Sequence, residues 1–345
     1  MEEKPKYLKH IQYFRAFAII NIVFIHTWEF PSDCRHNASF YLLNTIRELV
    51  FHDSTIYFLF ISGFLFQYLS PKFELLKYYK SKLHYVIFPY IFMTLLVLVD
   101  HKACFIADNN YTFISFFRDF SESLITGNVQ PQFWYIPFIA IVFIISPLFL
   151  KIPKNAFSKI ALLGCLLPLL GTRTDSSLSF LQYAYFLPVY LLGMYISMNY
   201  SKAILFIKEK SWLFISLVGI SSILLLLLPS DIYDFGWMNL AESLFYIQKI
   251  SLSLLLLVLL MKIENKEISL LDNIATYSFA IYFTHVLVGN RFLKTWFYNQ
   301  VLTLSPGVII FLSIIFVLSL ILINLIFCML IKRFLGKWSR YFIGA

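Results

Sequence analysis

An arginine and a histidine lie inside the first apolar segment, YFRAFAIINIVFIHTWEF, where a lipid bilayer disfavours charge. They are Arg15 and His26. Ionisable groups in a membrane segment are costly and usually face a cavity, so both are candidates for a functional site. Eleven residues of α-helix advance about 16 Å and return to within about 20° of the same face. The spacing therefore predicts one polar face along the first helix.

His26 is a candidate general base, because imidazole can remove a proton from a hydroxyl near neutral pH. It lies roughly 24 Å from the inner end of the helix, in the outer half of the membrane. Glu29 shares its helix face and could orient the imidazole, as the third group of a catalytic triad does. The alternatives are a buried histidine that bridges helices and a carboxylate at the membrane surface.

Arg15 lies near the inner end of the same segment, within reach of a ligand from the cytoplasm. Its guanidinium is suited to phosphate, which it can bind with two parallel hydrogen bonds. The alternative is that the side chain extends to the inner membrane surface.

The composition is that of an integral membrane protein. The chain of 345 residues is 59% hydrophobic and 14% charged, with a mean hydropathy of +0.75. Apolar runs of about 20 residues predict an all-α protein with about ten transmembrane helices. The predicted spans are 11–30, 48–70, 83–101, 133–150, 158–172, 178–198, 211–229, 239–262, 271–291 and 307–331. Residues 1–345 are predicted to form a single transmembrane domain without an appended soluble domain.

The basic residues predict the orientation, because cytoplasmic loops carry the excess of lysine and arginine. With both termini in the cytoplasm, 19 such residues fall on the inner side and 7 on the outer side. This distribution explains the net charge of +9 without a nucleic-acid partner. The outer segment 101–132 suggests an amphipathic interfacial piece or a lid, or a loop that lies on the membrane surface. Cys34 and Cys104 are near outer loops and could pair.

Six short patterns follow one another along the chain and together resemble the acyltransferase-3 family of ten-span membrane acyltransferases. They are RAFAIINIVFIH, FISGF, KYYKSKLHYVIFPY, QFWYIPF, FLPVYLLGMYI and YSFAIYFTH. Members of this family O-acylate cell-surface carbohydrates. The resemblance implies transfer of an acyl group, usually acetyl from acetyl-CoA, to an exopolysaccharide, O-antigen or lipid-linked glycan. It also implies a multi-pass protein of the bacterial cytoplasmic membrane, with acyl-CoA, glycan and membrane lipid as partners and no permanently bound cofactor or metal.

The resemblance also assigns roles to particular residues. The essential histidine and arginine of the first span correspond to His26 and Arg15. Where the family commonly has an R-x-x-R pair before the third span, this chain has Lys82 and Tyr85, flanked by Lys80 and His84. The three basic residues are predicted to bind the donor, although a bidentate arginine is lost there.

Four residues of the later patterns are predicted to contact the acceptor or polarise the acyl carbonyl. They are Trp134, Tyr135, Tyr282 and His285. The aromatic pair at the start of the fourth span also fits an ordinary aromatic belt. The pair in the ninth span also fits helix-packing hydrogen bonds. A transporter or flippase for polysaccharide or lipid-linked sugar is the alternative function, since such proteins also have many spans and intramembrane charges.

Overall fold

The protein is almost entirely helical, as its composition predicts. The computed structural model describes residues 8–28, 38–107, 112–173, 178–227, 238–289, 291–301 and 304–345, and these contain no β-strand. Along the first half of the chain the helices are α1 (Lys9–Thr27), α2 (Ala38–Phe51), α3 (Thr55–Leu69), α4 (Leu75–Lys82), α5 (Phe88–Ala107), α6 (Phe113–Thr126), α7 (Tyr135–Phe149) and α8 (Lys154–Gly164). The second half contributes α9 (Phe180–Met198), α10 (Tyr200–Glu209), α11 (Ser211–Leu227), α12 (Leu240–Met261), α13 (Ser269–Thr276), α14 (Ser278–Val288), α15 (Arg291–Val301), α16 (Pro306–Leu335) and α17 (Ser339–Phe342).

Several helices are long and apolar enough to cross a membrane, so the chain is a multi-pass membrane protein. Within the described ranges five helical stretches meet this condition, and a sixth does if α10 and α11, which meet at 66°, form one broken span. The five are Tyr41–Lys72, Leu75–Lys102, Phe180–Met198, Leu240–Met261 and Pro306–Phe342. Helices α7 and α14 are apolar but shorter. The count of ten spans and the orientation of the termini stay predictions.

Three of the predicted spans are interrupted in the described part of the chain. The segment 48–70 contains the turn between α2, which ends at Phe51, and α3, which begins at Thr55. The segment 158–172 contains the end of α8, which stops at Gly164, and a 3₁₀ turn at Leu167–Leu170. The segment 271–291 is divided into α13 and α14 at Tyr277. Apolar runs do not reveal such interruptions, because a short helix and a bent one have the same hydropathy as a straight span.

Helices α3 and α9 cross closely in the core, and two glycines allow it. A methyl group on Gly63 would overlap the carbonyl oxygen of Tyr190, and one on Gly193 would overlap that of Phe60. Small residues at a crossing let two helix backbones approach each other in a membrane protein. The FISGF and FLPVYLLGMYI patterns therefore include the two halves of one packing interface.

Helix α1 lies inside the bundle and packs against α3, α12, α13, α14 and α16. Polar side chains at both ends bond to other helices: Arg15 donates to the Ser278 hydroxyl at 3.0 Å, and Trp28, directly after α1, donates to the Ser313 hydroxyl at 2.8 Å. Polar groups surrounded by protein avoid the cost of contact with lipid. This central position explains how α1 tolerates residues that make it less apolar than the five long stretches.

Candidate active site

His26 lies in the last turn of α1 and lines a small cavity, which we call the histidine chamber. The chamber has a volume of about 20 Å³, enough for about one water molecule. Its walls come from α1, α3, α14, the start of α7 and the turn before it. They are Ile22, His26, Thr55, Phe58, Gln132, Trp134, Tyr135 and Tyr282. Four residues predicted from three separate spans therefore meet at one place.

His285 faces His26 across the interior, with the centres of the two imidazole rings 5.6 Å apart. Its Nδ1 lies 3.0 Å from the carbonyl oxygen of Ile281 and 2.9 Å from that of Tyr282. Carbonyl oxygens only accept, so Nδ1 carries a proton and Nε2 of the neutral ring holds a lone pair. Nε2 is buried and has no hydrogen-bond partner among the described residues. This geometry makes His285 a hydrogen-bond acceptor beside His26.

Tyr282 is already engaged through its hydroxyl, which donates to the backbone carbonyl of Gln132 at 2.5 Å. Its ring is edge-on to the ring of Tyr135, with 6.1 Å between the centres. A tyrosine in this arrangement holds the turn before α7 against α14. Its single proton is used in this bond, and the predicted role of Tyr282 at the acyl carbonyl stays a prediction.

A second and much larger cavity, the basic cavity, occupies the end of the bundle that carries the α3–α4 connection. Its volume is about 660 Å³, and its walls are mainly apolar side chains of α3, α7 and α14. Six basic residues also line it. They are Arg15, Lys72, Lys77, Lys82, Lys332 and Arg340. Positive charge at an apolar cavity suits a ligand with phosphate at one end and a less polar remainder.

The basic cavity and the histidine chamber share part of their walls. Phe58, Tyr135 and Tyr282 line both of them. Arg15 lines only the basic cavity and His26 only the chamber, although the two residues share one face of α1. The three aromatic side chains thus form a partition between the basic cavity and the chamber that holds the His26 imidazole. A ligand that extended from the basic cavity to the histidine chamber would pass these three side chains.

The remaining predicted residues are located differently. Lys82 lines the basic cavity, with its Nζ 4.1 Å from the ring centre of Phe143. Lys80 is exposed and His84 contacts the Lys80 carbonyl at 2.6 Å, and neither lines either cavity. Their donor role stays a prediction. Glu29, Cys34 and the side chain of Cys104 lie outside the described residues.

Arg340 was not among the residues predicted from sequence. It comes from the C-terminal segment, and its guanidinium carbon lies 5.6 Å from the ring centre of Tyr85. Tyr85 stands where the R-x-x-R pattern has its second arginine. Arg340, from a distant part of the chain, therefore supplies a guanidinium at this wall of the basic cavity. No local pattern around residue 340 indicates this contact, which only the tertiary structure creates.

A group of buried charges near the start of α3 was also missed. Asp53 is bonded to Arg173 and accepts from the Tyr185 hydroxyl at 2.5 Å, while Arg173 lies 3.6 Å from Glu242. The ammonium of the fully buried Lys249 donates to the Val50 carbonyl at 2.8 Å. These bonds fix the corner between α2 and α3, two residues before Thr55 of the chamber. A lysine in the middle of the predicted span 239–262 was a signal for such a group.

The comparisons with known proteins give one match. A family model described as an acyltransferase domain, Acyl_transf_3, matches residues 8–333, which is nearly the whole chain. Neither the curated proteins nor the solved structures include a match to this chain. The matched range runs from the start of α1 to the last turn of α16. It includes the lining of both cavities except for the residues that the C-terminal segment contributes to the basic cavity. The chain therefore belongs to the Acyl_transf_3 family and is a multi-pass membrane acyltransferase.

Proposed function

We propose that the protein transfers an acetyl or similar short acyl group from acyl-CoA to a hydroxyl of a cell-surface glycan. The observation that carries this proposal is the contact between the two cavities at Phe58, Tyr135 and Tyr282. Acyl-CoA has phosphates at one end and a thioester at the end of a long arm. A basic cavity that adjoins a histidine chamber is suited to a donor of this shape.

The donor would enter the basic cavity from the cytoplasm. Lys72, Lys77, Lys82 and Arg340 would neutralise its phosphates, and Arg15 would bind it nearer to the chamber. The apolar walls suit the pantetheine arm, which would extend past the aromatic partition toward His26. Acyl-CoA is a substrate in this proposal, and no permanently bound cofactor is required.

The acceptor would reach His26 from the outer side, where the predicted orientation places the last turn of α1. Trp134 is half-buried in the chamber wall, and its indole offers a face on which a sugar ring can stack. An exopolysaccharide, an O-antigen or a lipid-linked glycan is the proposed acceptor. The proposed location is accordingly the bacterial cytoplasmic membrane, with membrane lipid around the bundle.

In the chemical step His26 would act as the general base. The glycan oxygen forms a bond to the thioester carbon while His26 takes the hydroxyl proton. The carbon–sulfur bond then breaks, and the departing CoA thiolate receives that proton. His285 can accept a hydrogen bond from the His26 ring through Nε2 and so hold its orientation. Glu29 is proposed as a second orienting group.

A direct assay tests this proposal. The purified protein is incubated with acetyl-CoA labelled in the acetyl group and with crude glycan from the host cell envelope. We expect label in the glycan fraction and none after His26→Ala. Movement of unmodified glycan across a vesicle membrane without acylation would instead indicate the flippase alternative. Absence of label with every acyl-CoA and glycan tested would contradict the proposal.

A further inference from the structure

The side chain of Gln132 is buried in the wall of the histidine chamber without a hydrogen-bond partner. It is 2% exposed, and neither the oxygen nor the nitrogen of its amide has a partner among the described residues. A buried amide without partners costs free energy, so proteins rarely retain one unless water or a ligand completes its bonds. The chamber is the space that Gln132 shares with His26.

The turn that carries Gln132 is tightly held. Its backbone carbonyl accepts from the Tyr282 hydroxyl at 2.5 Å and from the Tyr135 amide at 3.3 Å. On the other side, Gly127 has a φ of 70°, and a Cβ there would lie 2.5 Å from the Cα of Trp134. A held backbone and a buried side chain together restrict the positions that the amide can take, which favours preorganised hydrogen bonding.

Gln132 also has amide donors in the chamber wall that no described residue uses. Attack on a thioester places negative charge on the carbonyl oxygen, and donors that face this oxygen stabilise the transition state. The Tyr282 hydroxyl already donates to the Gln132 carbonyl, and the His285 Nδ1–H already donates to two backbone carbonyls. The amide nitrogen of Gln132 has two protons and neither is bonded within the described residues.

We propose that Gln132 donates a hydrogen bond to the acyl carbonyl oxygen during transfer, which rests on the proposed function above. As the glycan oxygen bonds to the carbonyl carbon, the electron pair of the C=O bond moves to the oxygen that faces the Gln132 amide. His26 takes the hydroxyl proton. When the carbon–sulfur bond breaks, that pair returns to re-form the C=O bond, and the CoA sulfur leaves with the proton from His26.

The test compares Gln132→Met, which keeps the length of the side chain but has no donor, with Gln130→Met in the same turn. Gln130 is also buried but lines neither cavity. We expect Gln132→Met to lower kcat by about 10²- to 10³-fold, the usual loss for one oxyanion donor. The dissociation constant for acetyl-CoA should stay within about twofold, and Gln130→Met should keep the wild-type kcat.

A spectroscopic measurement covers the case in which kcat falls through misfolding. Acetyl-CoA labelled with ¹³C at the carbonyl is bound to His26→Ala protein, which should hold it without turnover. We expect a carbonyl stretch at lower frequency than in water-free solvent, and loss of this shift when Gln132→Met is added. An unchanged stretch, or a wild-type kcat in Gln132→Met, would overturn the inference. If His26→Ala is inactive while Gln132→Met is fully active, the proposed function survives and only the role of Gln132 fails.

Discussion

Arg15 and His26 share one face of α1, yet they line different cavities. Arg15 belongs to the basic cavity and His26 to the chamber, with Phe58, Tyr135 and Tyr282 between them. This division gives the two residues separable roles in the proposed function. Arg15 would act on binding of the donor, whereas His26 would act on the chemical step. Each role predicts a different kinetic consequence.

Replacement of Arg15 should weaken donor binding more than acceptor recognition. Arg15→Ala removes a charged donor, and a hydrogen bond to a charged group contributes about 1.5 to 3 kcal/mol. The dissociation constant for acetyl-CoA should rise by about tenfold or more. Arg15→Lys keeps the charge without the planar fork and should have a smaller effect of the same sign.

The measurements for this prediction are the acetyl-CoA dissociation constant by calorimetry and the acceptor KM from steady-state rates. The acceptor KM is the internal control, because Arg15 does not line the chamber. If Arg15→Ala bound acetyl-CoA as tightly as the wild type, the arginine would only join α1 to α14 through Ser278. Donor binding would then depend on the lysines of the basic cavity.

Some residues of the site could be predicted from the sequence, and others could not. Charge inside an apolar segment indicates His26 directly, and the family resemblance adds Trp134 and Tyr282, which the structure brings to the same chamber. Gln132 carries no charge, so nothing in the hydropathy pattern distinguishes it from a residue of a loop. Arg340 reaches its cavity only because the C-terminal segment folds back against Tyr85.

At the scale of elements, the packing of α3 against α9 determines the position of one wall of the basic cavity. Phe58 and Ser62 of α3 line the basic cavity, and Gly63 and Gly193 set the distance between the two helices. The sequence identified the apolar runs but not their partners. Hydropathy gives the length of a helix, whereas the partner of each glycine depends on the packed bundle.

Gly193→Ala should destabilise the fold, because the added methyl group meets the backbone carbonyl of Phe60. Overpacking of this kind typically costs about 1 to 3 kcal/mol, more than the roughly 1 kcal/mol that alanine gains over glycine within a helix. We expect a lower thermal midpoint in detergent, followed by intrinsic fluorescence or by a size-exclusion assay. Acyl transfer should fall with the folded fraction.

Gly219→Ala is the matched control for this prediction. Gly219 is also within an apolar helix, α11, but a methyl group there meets nothing within 4 Å. Its thermal midpoint should equal or exceed that of the wild type. Equal stability of Gly193→Ala and Gly219→Ala would show that the crossing tolerates wider spacing than the structure has.

At the scale of the whole molecule, the proposed reaction depends on orientation. The basic cavity must face the cytoplasm to receive acyl-CoA, and the distribution of lysine and arginine predicts this. The same prediction places α6 outside, where its exposed Phe113, Ile114 and Phe117 suit a helix that lies on the membrane surface. The number of spans is less predictable, because α13, α14 and α8 are short and the pair α10–α11 is bent.

Single cysteines on opposite sides of the bundle test the orientation. Lys77→Cys and Arg118→Cys are introduced separately into a variant without the four native cysteines. Both side chains are well exposed, at 78% and 77%. In intact cells a membrane-impermeant thiol reagent should label Arg118→Cys, and it should label Lys77→Cys only after permeabilisation. Labelling of Lys77→Cys in intact cells would show that the orientation is opposite to the predicted one.

The central claim is that His26 performs the chemical step on a donor held in the neighbouring cavity. The most direct measurement is the acetyl-CoA dissociation constant and the single-turnover transfer rate on one preparation of His26→Ala. His10→Ala is the control, because His10 is a buried histidine of the same helix that bonds Glu264 and Tyr200 and lines neither cavity. We predict wild-type donor affinity in both variants, a near wild-type rate for His10→Ala, and a loss of about 10²- to 10⁴-fold for His26→Ala. A wild-type transfer rate in His26→Ala would contradict the account.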